Sequence, residues 1–142
     1  MEWHHGEFRL TDSAAEVDFA AVSALLENTY WARGRAPETA RTAFAHSTCF
    51  SLFHMDRQMG FCRVVSDFAL FSWLADVIIA PEYRGRGLGK WMIRCAMTHP
   101  CMQTRTKLLA TLDAHGLYEQ LGFKRFESLR IGPELKLDPL LS

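Results

Sequence analysis

The sequence has no excess of charge of either sign and no long apolar run. Its 16 Lys and Arg residues balance 16 Asp and Glu residues over a length of 142, so it lacks the general attraction for phosphate on which most nucleic-acid-binding proteins depend. No apolar run approaches the roughly 20 residues of a membrane-spanning helix, and the N-terminus lacks the basic and apolar blocks of a signal peptide. We therefore expect no nucleic-acid partner, no membrane contact and a cytoplasmic protein.

Cysteines are few and irregularly spaced. None of the four belongs to a CxxC pair, and the adjacent His4 and His5 have no partner at the spacing of metal ligands. This pattern favours free thiols in a reducing compartment over a zinc site or a disulfide framework. We therefore expect no bound metal.

The composition is that of an ordinary folded domain. Hydrophobic residues make up 49% of the chain and charged residues 23%, which is close to the average for globular proteins. The length allows one core of ordinary size and leaves almost nothing for a second. We therefore expect residues 1–142 to form a single domain.

Apolar residues recur in patterns that predict a mixed α/β fold. Helical spacing, with capping and helix-breaking residues, predicts helices over 17–30, 37–46, 88–98 and 114–121. Runs rich in β-branched and aromatic residues predict strands over 7–10, 48–53, 60–65, 71–80, 107–112 and 123–130. The order β-α-α-β-β-β-α-β-α-β predicts a central mixed sheet with helices on both of its faces.

A glycine-rich turn joins the strand at 71–80 to the helix at 88–98. Gly85, Gly87 and Gly89 remove the Cβ atoms that would keep a ligand from the backbone, and the first N–H groups of the helix lie at the positive end of its dipole. The same segment carries three cations, Arg84, Arg86 and Lys90. The pattern favours a phosphate cradle, although a simple tight connection would also use glycines.

The spacing of the glycines excludes two common phosphate binders. Gly85 and Gly89 enclose three residues where a P-loop has four, and Trp91 follows Lys90 where a P-loop has Ser or Thr. The dinucleotide fingerprint G-x-G-x-x-G is not matched either. A nucleoside triphosphatase and a dinucleotide-dependent oxidoreductase are therefore disfavoured.

Two motifs resemble those of the GCN5-related N-acetyltransferase (GNAT) family. Arg84-x-x-Gly87-x-Gly89 resembles the family's pyrophosphate-binding motif, usually written Q/R-x-x-G-x-G/A. Residues 112–123 resemble its second motif, in which a short helix carrying a tyrosine, here Tyr118, ends in Gly-Phe. The similarity covers nearly the whole chain from about Phe8 onward. It implies the GNAT fold and the transfer of an acetyl group from acetyl-CoA to an amine.

The resemblance also implies where acetyl-CoA would bind. In this family the coenzyme lies between two central parallel strands that splay apart, and its pantetheine pairs with the strand before the glycine turn, here with Val77, Ile78 and Ile79. An N–H group of the same strand would donate to the thioester oxygen. The pyrophosphate would rest on the following residues: Arg84, Gly85, Arg86, Gly87, Leu88, Gly89 and Lys90.

Two residues are candidates for the proton transfers of the reaction. Tyr118 matches the family tyrosine that reprotonates the departing thiolate, because a phenol with a pKa of about 10 keeps its proton at neutral pH. The alternative is that Tyr118 only packs in the core.

Asp76 is the candidate base, since a carboxylate in an apolar strand is costly unless it meets water, a partner or the substrate. It could equally be satisfied by a neighbouring group, or bind the substrate ammonium without taking its proton. Asp113 precedes the short helix and is expected to be its N-cap.

The loop between the first two helices is the candidate acceptor site. It carries Tyr30, Trp31, Arg33 and Arg35, and in the GNAT family this region lines the acceptor pocket. Such a loop suits an acceptor with an anionic or planar group, while a solvated surface loop is the alternative.

The sequence leaves open whether the acceptor amine belongs to a small molecule or a peptide, and whether the chain forms a homodimer. A non-catalytic coenzyme A sensor on the same fold is the alternative function.

Overall fold

A computed structural model describes residues 1–128 of the chain. Over this range six strands form one sheet, in the order in which they occur along the chain. They are β1 (Glu2–His5), β2 (Phe8–Thr11), β3 (Thr48–His54), β4 (Arg57–Ser66), β5 (Phe71–Ile79) and β6 (Thr106–Leu108). Neighbouring strands from β1 to β5 run antiparallel, whereas β6 runs parallel to β5. The predicted mixed sheet is therefore confirmed.

Four α-helices accompany the sheet within residues 1–128. In the chain, α1 (Phe19–Glu27) and α2 (Pro37–Ala45) lie between β2 and β3, α3 (Leu88–Thr98) lies between β5 and β6, and α4 (His115–Gln120) follows β6. Over the same range, no helix combines the length and apolar character needed to cross a bilayer.

Capping residues and proline set the starts of the helices. The Asp18 side chain accepts a hydrogen bond from the Ala21 N–H at 3.1 Å, which places the start of α1 at Phe19 rather than at residue 17. Helix α2 begins at Pro37, whose fixed φ suits a first turn. Helix α3 begins directly after Gly87, which adopts a left-handed φ of +76°.

The two faces of the sheet carry separate apolar cores. On one face, Phe61 and Ile78 pack with Val22 and Leu26 of α1. On the other face, the next residue of β4, Cys62, belongs to a larger core. That core includes these buried residues of α3 and α4: Leu88, Met92, Ile93, Cys95, Ala96 and Tyr118. Because successive side chains of a strand point to opposite faces, the sheet separates an α1–α2 face from an α3–α4 face.

Three sequence-based strand boundaries are corrected by the structure. The strand predicted over 7–10 is the second arm of a hairpin, β1–β2, that turns at Gly6 (φ +58°). The strand predicted over 107–112 extends only from Thr106 to Leu108. The last predicted strand, 123–130, is not formed over 123–128, and residues 129–130 lie outside the described range. The side chains of residues 124–128 are all exposed, so they offer no buried face that would fix a strand register.

Candidate active site

A gap opens between the two parallel strands. Pairing of β5 with β6 is confined to three partners, from Phe71↔Thr106 to Trp73↔Leu108. Beyond Trp73, β5 continues to Ile79, and among the described residues no strand pairs with its edge facing away from β4. Backbone N–H and C=O groups on that edge are therefore available to a ligand. The predicted pantetheine-binding residues Val77, Ile78 and Ile79 lie in this stretch.

A β-bulge lies in the stretch of β5 beyond its pairing with β6. Phe61 pairs with Ile78 and Arg63 pairs with Ala75, so two residues of β5, Asp76 and Val77, stand opposite the single residue between them on β4. Asp76 has a φ of +52°, a left-handed conformation that Asp tolerates better than most residues do. Bulges redirect the local backbone and frequently occur next to active sites. Here the bulge takes the backbone of Asp76 and Val77 out of the regular ladder with β4.

The glycine turn at the end of β5 leaves open space over its backbone. Gly85 and Gly87 have φ values of +79° and +76°, and a Cβ built on either would meet no atom within 4 Å. No side chain caps the start of α3. The first N–H groups of the helix are therefore left for another acceptor, such as a phosphate oxygen. The conformation and the open space both fit the predicted pyrophosphate site.

The three cations of the glycine turn are held in different ways. Arg84 Nε donates to the Ile79 carbonyl oxygen at 3.1 Å, which folds this side chain back onto the end of β5. The guanidinium of Arg86 lies 5.3 Å from the centre of the Tyr83 ring. Lys90 Nζ donates to Gln120 Oε1 at 2.8 Å and so links α3 to α4. The turn and the start of α3 therefore carry three cations, of which Arg84 and Lys90 also bond to neighbouring elements.

Tyr118 is buried on α4, on the α3–α4 face of the sheet. Its ring packs edge-to-face against Phe123, with the ring centres 6.0 Å apart, and only 9% of the residue is exposed. Burial raises the pKa of Tyr118 to about 12, and the nearby Cys62, Tyr30 and Asp113 contribute to the rise. Its hydroxyl has no hydrogen-bond partner among residues 1–128. Tyr118 therefore holds a proton at neutral pH on a hydroxyl that no group within residues 1–128 engages.

The expected N-cap role of Asp113 is wrong. The N-cap position of α4 is Ala114, and no side chain caps the helix from that position. The Ala114 N–H itself donates to Thr111 Oγ1 at 3.1 Å, so the side chain bonded at the cap position is Thr111 and not Asp113. The Asp113 carboxylate is left exposed, near enough to influence the Tyr118 hydroxyl.

Asp76 lies at the centre of a buried charged cluster. Its carboxylate accepts hydrogen bonds from Arg35 Nη1 and Nη2 at 2.9 and 3.1 Å, from Arg63 Nε at 2.7 Å and from Trp31 Nε1 at 3.0 Å. Only 1% of its side chain is exposed. Burial opposes ionisation, yet the hydrogen bonds and charges of the two arginines outweigh it and hold the pKa of Asp76 below its ordinary value. Asp76 is therefore a fully engaged carboxylate.

Arg63 belongs to this cluster but was not anticipated from the sequence. Besides Asp76, it contacts Ser47, whose Oγ accepts from Arg63 Nη1 at 3.1 Å. The available signal was the pattern of two consecutive apolar strands that each contain one interior charge, of opposite sign. Such charges are costly unless they pair, and antiparallel neighbours can bring them together.

The loop predicted to line the acceptor site bonds to the segment that follows β6. The Leu112 N–H, beyond the end of β6, donates to the Tyr30 hydroxyl oxygen at 3.0 Å. Tyr30 also packs edge-to-face against Trp31, with ring centres 5.0 Å apart, and the two residues are 51% and 40% exposed. The structure thus brings Tyr30, Trp31 and Arg35 to the gap. The Arg33 side chain is exposed and makes no hydrogen bond or ion pair with residues 1–128.

The gap therefore has a different chemical character on each side of the sheet. Phe61 and Arg63 lie on the same face of β4, so the Asp76 cluster belongs to the α1–α2 face. Tyr118 belongs to the core on the α3–α4 face. A reacting group in the gap would have a phenol on one side and a cationic, aromatic cluster on the other. Among residues 1–128, no group of three His, Cys, Asp or Glu side chains is placed to hold a metal ion.

Comparisons with known proteins identify relatives of the chain. Residues 45–125 match the sequence profile of a family described as Acetyltransferase (GNAT) domain. A crystal structure from Xanthomonas campestris pv. campestris, described as a candidate acetyltransferase of the GNAT family, is 35% identical, covers 93% of this chain and 98% of its own, and has a TM-score of 0.84. A protein of Gibberella zeae named as a candidate acetyltransferase is 26% identical over 89% of this chain and 84% of its own length. Glucosamine-6-phosphate N-acetyltransferase from Arabidopsis thaliana shares the fold, with 16% identity, a TM-score of 0.63 and coverage of 91% and 99%.

Proposed function

The chain belongs to the GNAT family of acetyltransferases, and from this premise we propose that it transfers the acetyl group of acetyl-CoA to a primary amine by direct attack. The observation that carries the proposal is the gap beside β5, which has an open glycine turn at one end and the hydroxyl of Tyr118 at its side. We further propose that the transferase is a single domain. The acceptor approaches from the α1–α2 face.

The backbone of β5 and of the turn after it would hold the coenzyme. Val77, Ile78 and Ile79 lie on the unpaired part of β5 and can bond the amides of the pantetheine. The turn from Arg84 to Lys90 would receive the pyrophosphate, since its glycines leave room and its N–H groups and cations favour a dianion. Acetyl-CoA supplies an activated thioester, so the protein has to provide binding, orientation and proton transfer.

The bulge at Asp76 would provide the donor for the thioester oxygen. Backbone N–H groups that are fixed in advance stabilise developing negative charge without reorganising during the reaction. The bulge leaves the backbone of Asp76 and Val77 out of the regular ladder with β4. We assign the oxygen-binding donor to this pair.

The two proton-transfer roles fall to Tyr118 and to the solvent. Tyr118 keeps its proton until the C–S bond breaks and then donates it to the thiolate; the attacking nitrogen loses one proton to solvent as the amide forms, and solvent returns a proton to the Tyr118 phenolate. A base role for Asp76 stays a prediction that no observation tests, but a carboxylate with four hydrogen bonds and a lowered pKa is a weak base. We propose that Asp76 positions Trp31, Arg35 and Arg63, and that the acceptor ammonium loses its proton to solvent before it attacks.

A thermal-shift titration tests coenzyme binding. At 100 times its Kd, a ligand stabilises the folded state by about 2.7 kcal/mol, which raises Tm by several degrees in a domain of this size. We expect this rise with acetyl-CoA in the presence of excess EDTA, and no rise with NAD. A coenzyme A sensor would show the same shift but would release no thiol when amines are added. The absence of any shift with acetyl-CoA would overturn the proposal.

A further inference from the structure

The cluster around Asp76 carries more positive than negative charge. Two guanidinium groups, of Arg35 and Arg63, surround one carboxylate, which leaves a net charge of +1. Both arginines are mostly buried, with 21% and 15% of their side chains exposed. Partly desolvated charge is costly unless a counter-ion meets it. Within residues 1–128, no second carboxylate pairs with either arginine.

Both arginines retain N–H groups that bind nothing in the described part of the chain. A guanidinium offers five donors. Arg35 directs one N–H from each terminal nitrogen to Asp76, and Arg63 uses Nε for Asp76 and Nη1 for Ser47. The remaining N–H groups can donate to an anion that binds beside the Asp76 carboxylate. The cluster therefore combines a net positive charge, partial burial and guanidinium N–H groups that bind nothing within residues 1–128.

From this cluster we infer that the acceptor amine carries a carboxylate, which binds to Arg35 and Arg63 while the amine reaches the gap beside the bulge. The inference rests on the proposed function and names the acceptor class for the same site. A carboxylate matches the planar fork of a guanidinium, and its single negative charge balances the net charge of the cluster. The exposed rings of Tyr30 and Trp31 provide an apolar wall for the rest of the acceptor.

The charge of the cluster argues against two other acceptor classes. A phosphate monoester carries about −1.5 to −2 at pH 7, so it would leave excess negative charge next to the buried Asp76. A polyamine or a lysine-rich peptide would place further cations against Arg35 and Arg63. An amino acid, or a similar small amine with one carboxylate, fits the balance of charge best.

Matched acceptors test the inference by activity. We would measure kcat/KM from thiol release with the twenty amino acids, their carboxamides and the corresponding decarboxylated amines. A charge-assisted hydrogen bond is roughly twice as strong as a neutral one, and we expect at least one amino acid to exceed both of its matched analogues by about tenfold or more. Transfer to the carboxamides or amines at equal or higher efficiency would overturn the inference while leaving acetyl transfer established. Thiol release with none of the compounds would count against the proposed function itself.

A binding assay tests the same site without turnover. N-acetyl amino acids are the products that the inference predicts, so at least one should raise Tm in the presence of coenzyme A while its N-acetyl carboxamide should not. If none of the N-acetyl amino acids stabilises the protein, or if the carboxamides do so equally, the inference is overturned. A positive result supports it even where thiol release is absent.

Arginine-to-lysine variants test whether Arg35 and Arg63 bind the carboxylate of the acceptor. Arg35→Lys and Arg63→Lys keep the charge but lose the planar fork, so each should reduce the preference for carboxylate over carboxamide by about tenfold, with acetyl-CoA binding retained. Arg94→Lys on the exposed face of α3 is the matched control and should keep the preference. An unchanged preference in both folded cluster variants would overturn the inference. Should one of them fail to fold, the other variant and the two assays of the wild-type protein still decide whether the acceptor carries a carboxylate.

Discussion

At the scale of single residues, the proposed chemistry depends most on the Tyr118 hydroxyl. The ring is packed on α4, whereas the hydroxyl bonds to nothing within residues 1–128. Tyr118→Phe should therefore leave folding and acetyl-CoA affinity nearly unchanged. Because a pKa of about 12 makes Tyr118 a weaker acid than an ordinary phenol, we expect the loss in kcat to lie near the lower end of the usual range for a proton donor, about 100-fold. Single-turnover kinetics would measure it.

The control for Tyr118→Phe is the thermal shift with acetyl-CoA, which should match that of the wild type. A folded variant that binds the coenzyme and retains wild-type turnover, under conditions where chemistry limits the rate, would assign Tyr118 to packing alone.

The pH dependence of the reaction distinguishes a solvent-deprotonated amine from an enzymatic base. If the acceptor loses its proton to solvent, kcat/KM should rise tenfold per pH unit up to about the pKa of the acceptor amine itself. Two acceptors with different amine pKa values should then give two different profiles. A single inflection near neutral pH that is common to both acceptors would identify an enzymatic base instead.

Asp76→Asn tests the positioning role of the buried carboxylate. Removing one partner of a buried ion pair typically costs about 3–5 kcal/mol, so the variant should have a lower Tm at pH 7. The folded pKa of Asp76 is lowered, so its contribution is fully present above the unfolded pKa of about 3.9 and is lost as the pH falls through the folded pKa. The difference in Tm between wild type and variant should therefore shrink at low pH.

Kinetics of the same variant separate positioning from proton acceptance. Positioning predicts a higher acceptor KM, an unchanged pH profile and unchanged acetyl-CoA affinity. If Asp76→Asn removes an acid limb that the wild type shows, Asp76 is the base that the sequence suggested.

Sequence reasoning at this scale found residues whose chemistry is unusual for their surroundings. Asp76 was identified because a carboxylate in an apolar strand must have a reason to be there. Its partner Arg63 was missed, since the pairing of β4 with β5 contains a bulge whose position depends on three-dimensional register. Asp113 is not the N-cap because α4 begins at His115, one residue later than predicted, which puts Ala114 at the cap position.

At the scale of elements, we propose that the glycine turn and the first turn of α3 bind the pyrophosphate of acetyl-CoA. Gly87→Glu should abolish acetyl-CoA binding, because the new side chain places bulk and negative charge over the open N–H groups. Isothermal titration would measure the loss of affinity. Gly6→Glu is a matched control, since Gly6 also has a left-handed φ and open space around it but lies in the β1–β2 turn.

The Gly6→Glu control should carry a similar backbone strain, of about 1–2 kcal/mol, and still bind acetyl-CoA. Equal affinity in folded Gly87→Glu and wild-type protein would remove the phosphate site from the glycine turn.

Elements with strong local signals were the most predictable. The helix predicted over 88–98 coincides with α3, because Gly87 and His99–Pro100 define its two ends. β1 was missed because it is a short edge strand with an exposed surface, held by pairing with β2 and by the contact of Trp3 with Phe50. The short length of β6 could not be read from its apolar residues, since it ends where β5 diverges from it.

At the scale of the whole molecule, the sheet divides the site into two sides. The glycine turn proposed to bind the coenzyme leads into α3, and Tyr118 packs on the same face, whereas Trp31, Arg35 and Asp76 meet on the α1–α2 face. The two substrates would therefore approach from opposite faces and meet where β5 and β6 separate. The order of the elements predicted the sheet and its flanking helices. The division of the site between the two faces could not be predicted in the same way, because it involves contacts between loops far apart in sequence, such as Tyr30 with Leu112.

The most direct test of acetyl transfer is the release of free thiol from acetyl-CoA in the presence of an amine panel. Amino acids, their carboxamides, polyamines and peptides would be assayed together, and mass spectrometry would detect the acetylated products. We predict amine-dependent thiol release, with one N-acetylated amine formed per thiol, and no such release by Gly87→Glu. Acetyl-CoA that binds and stabilises the wild-type protein, yet releases thiol at the same slow rate with every amine and without any, would contradict the account.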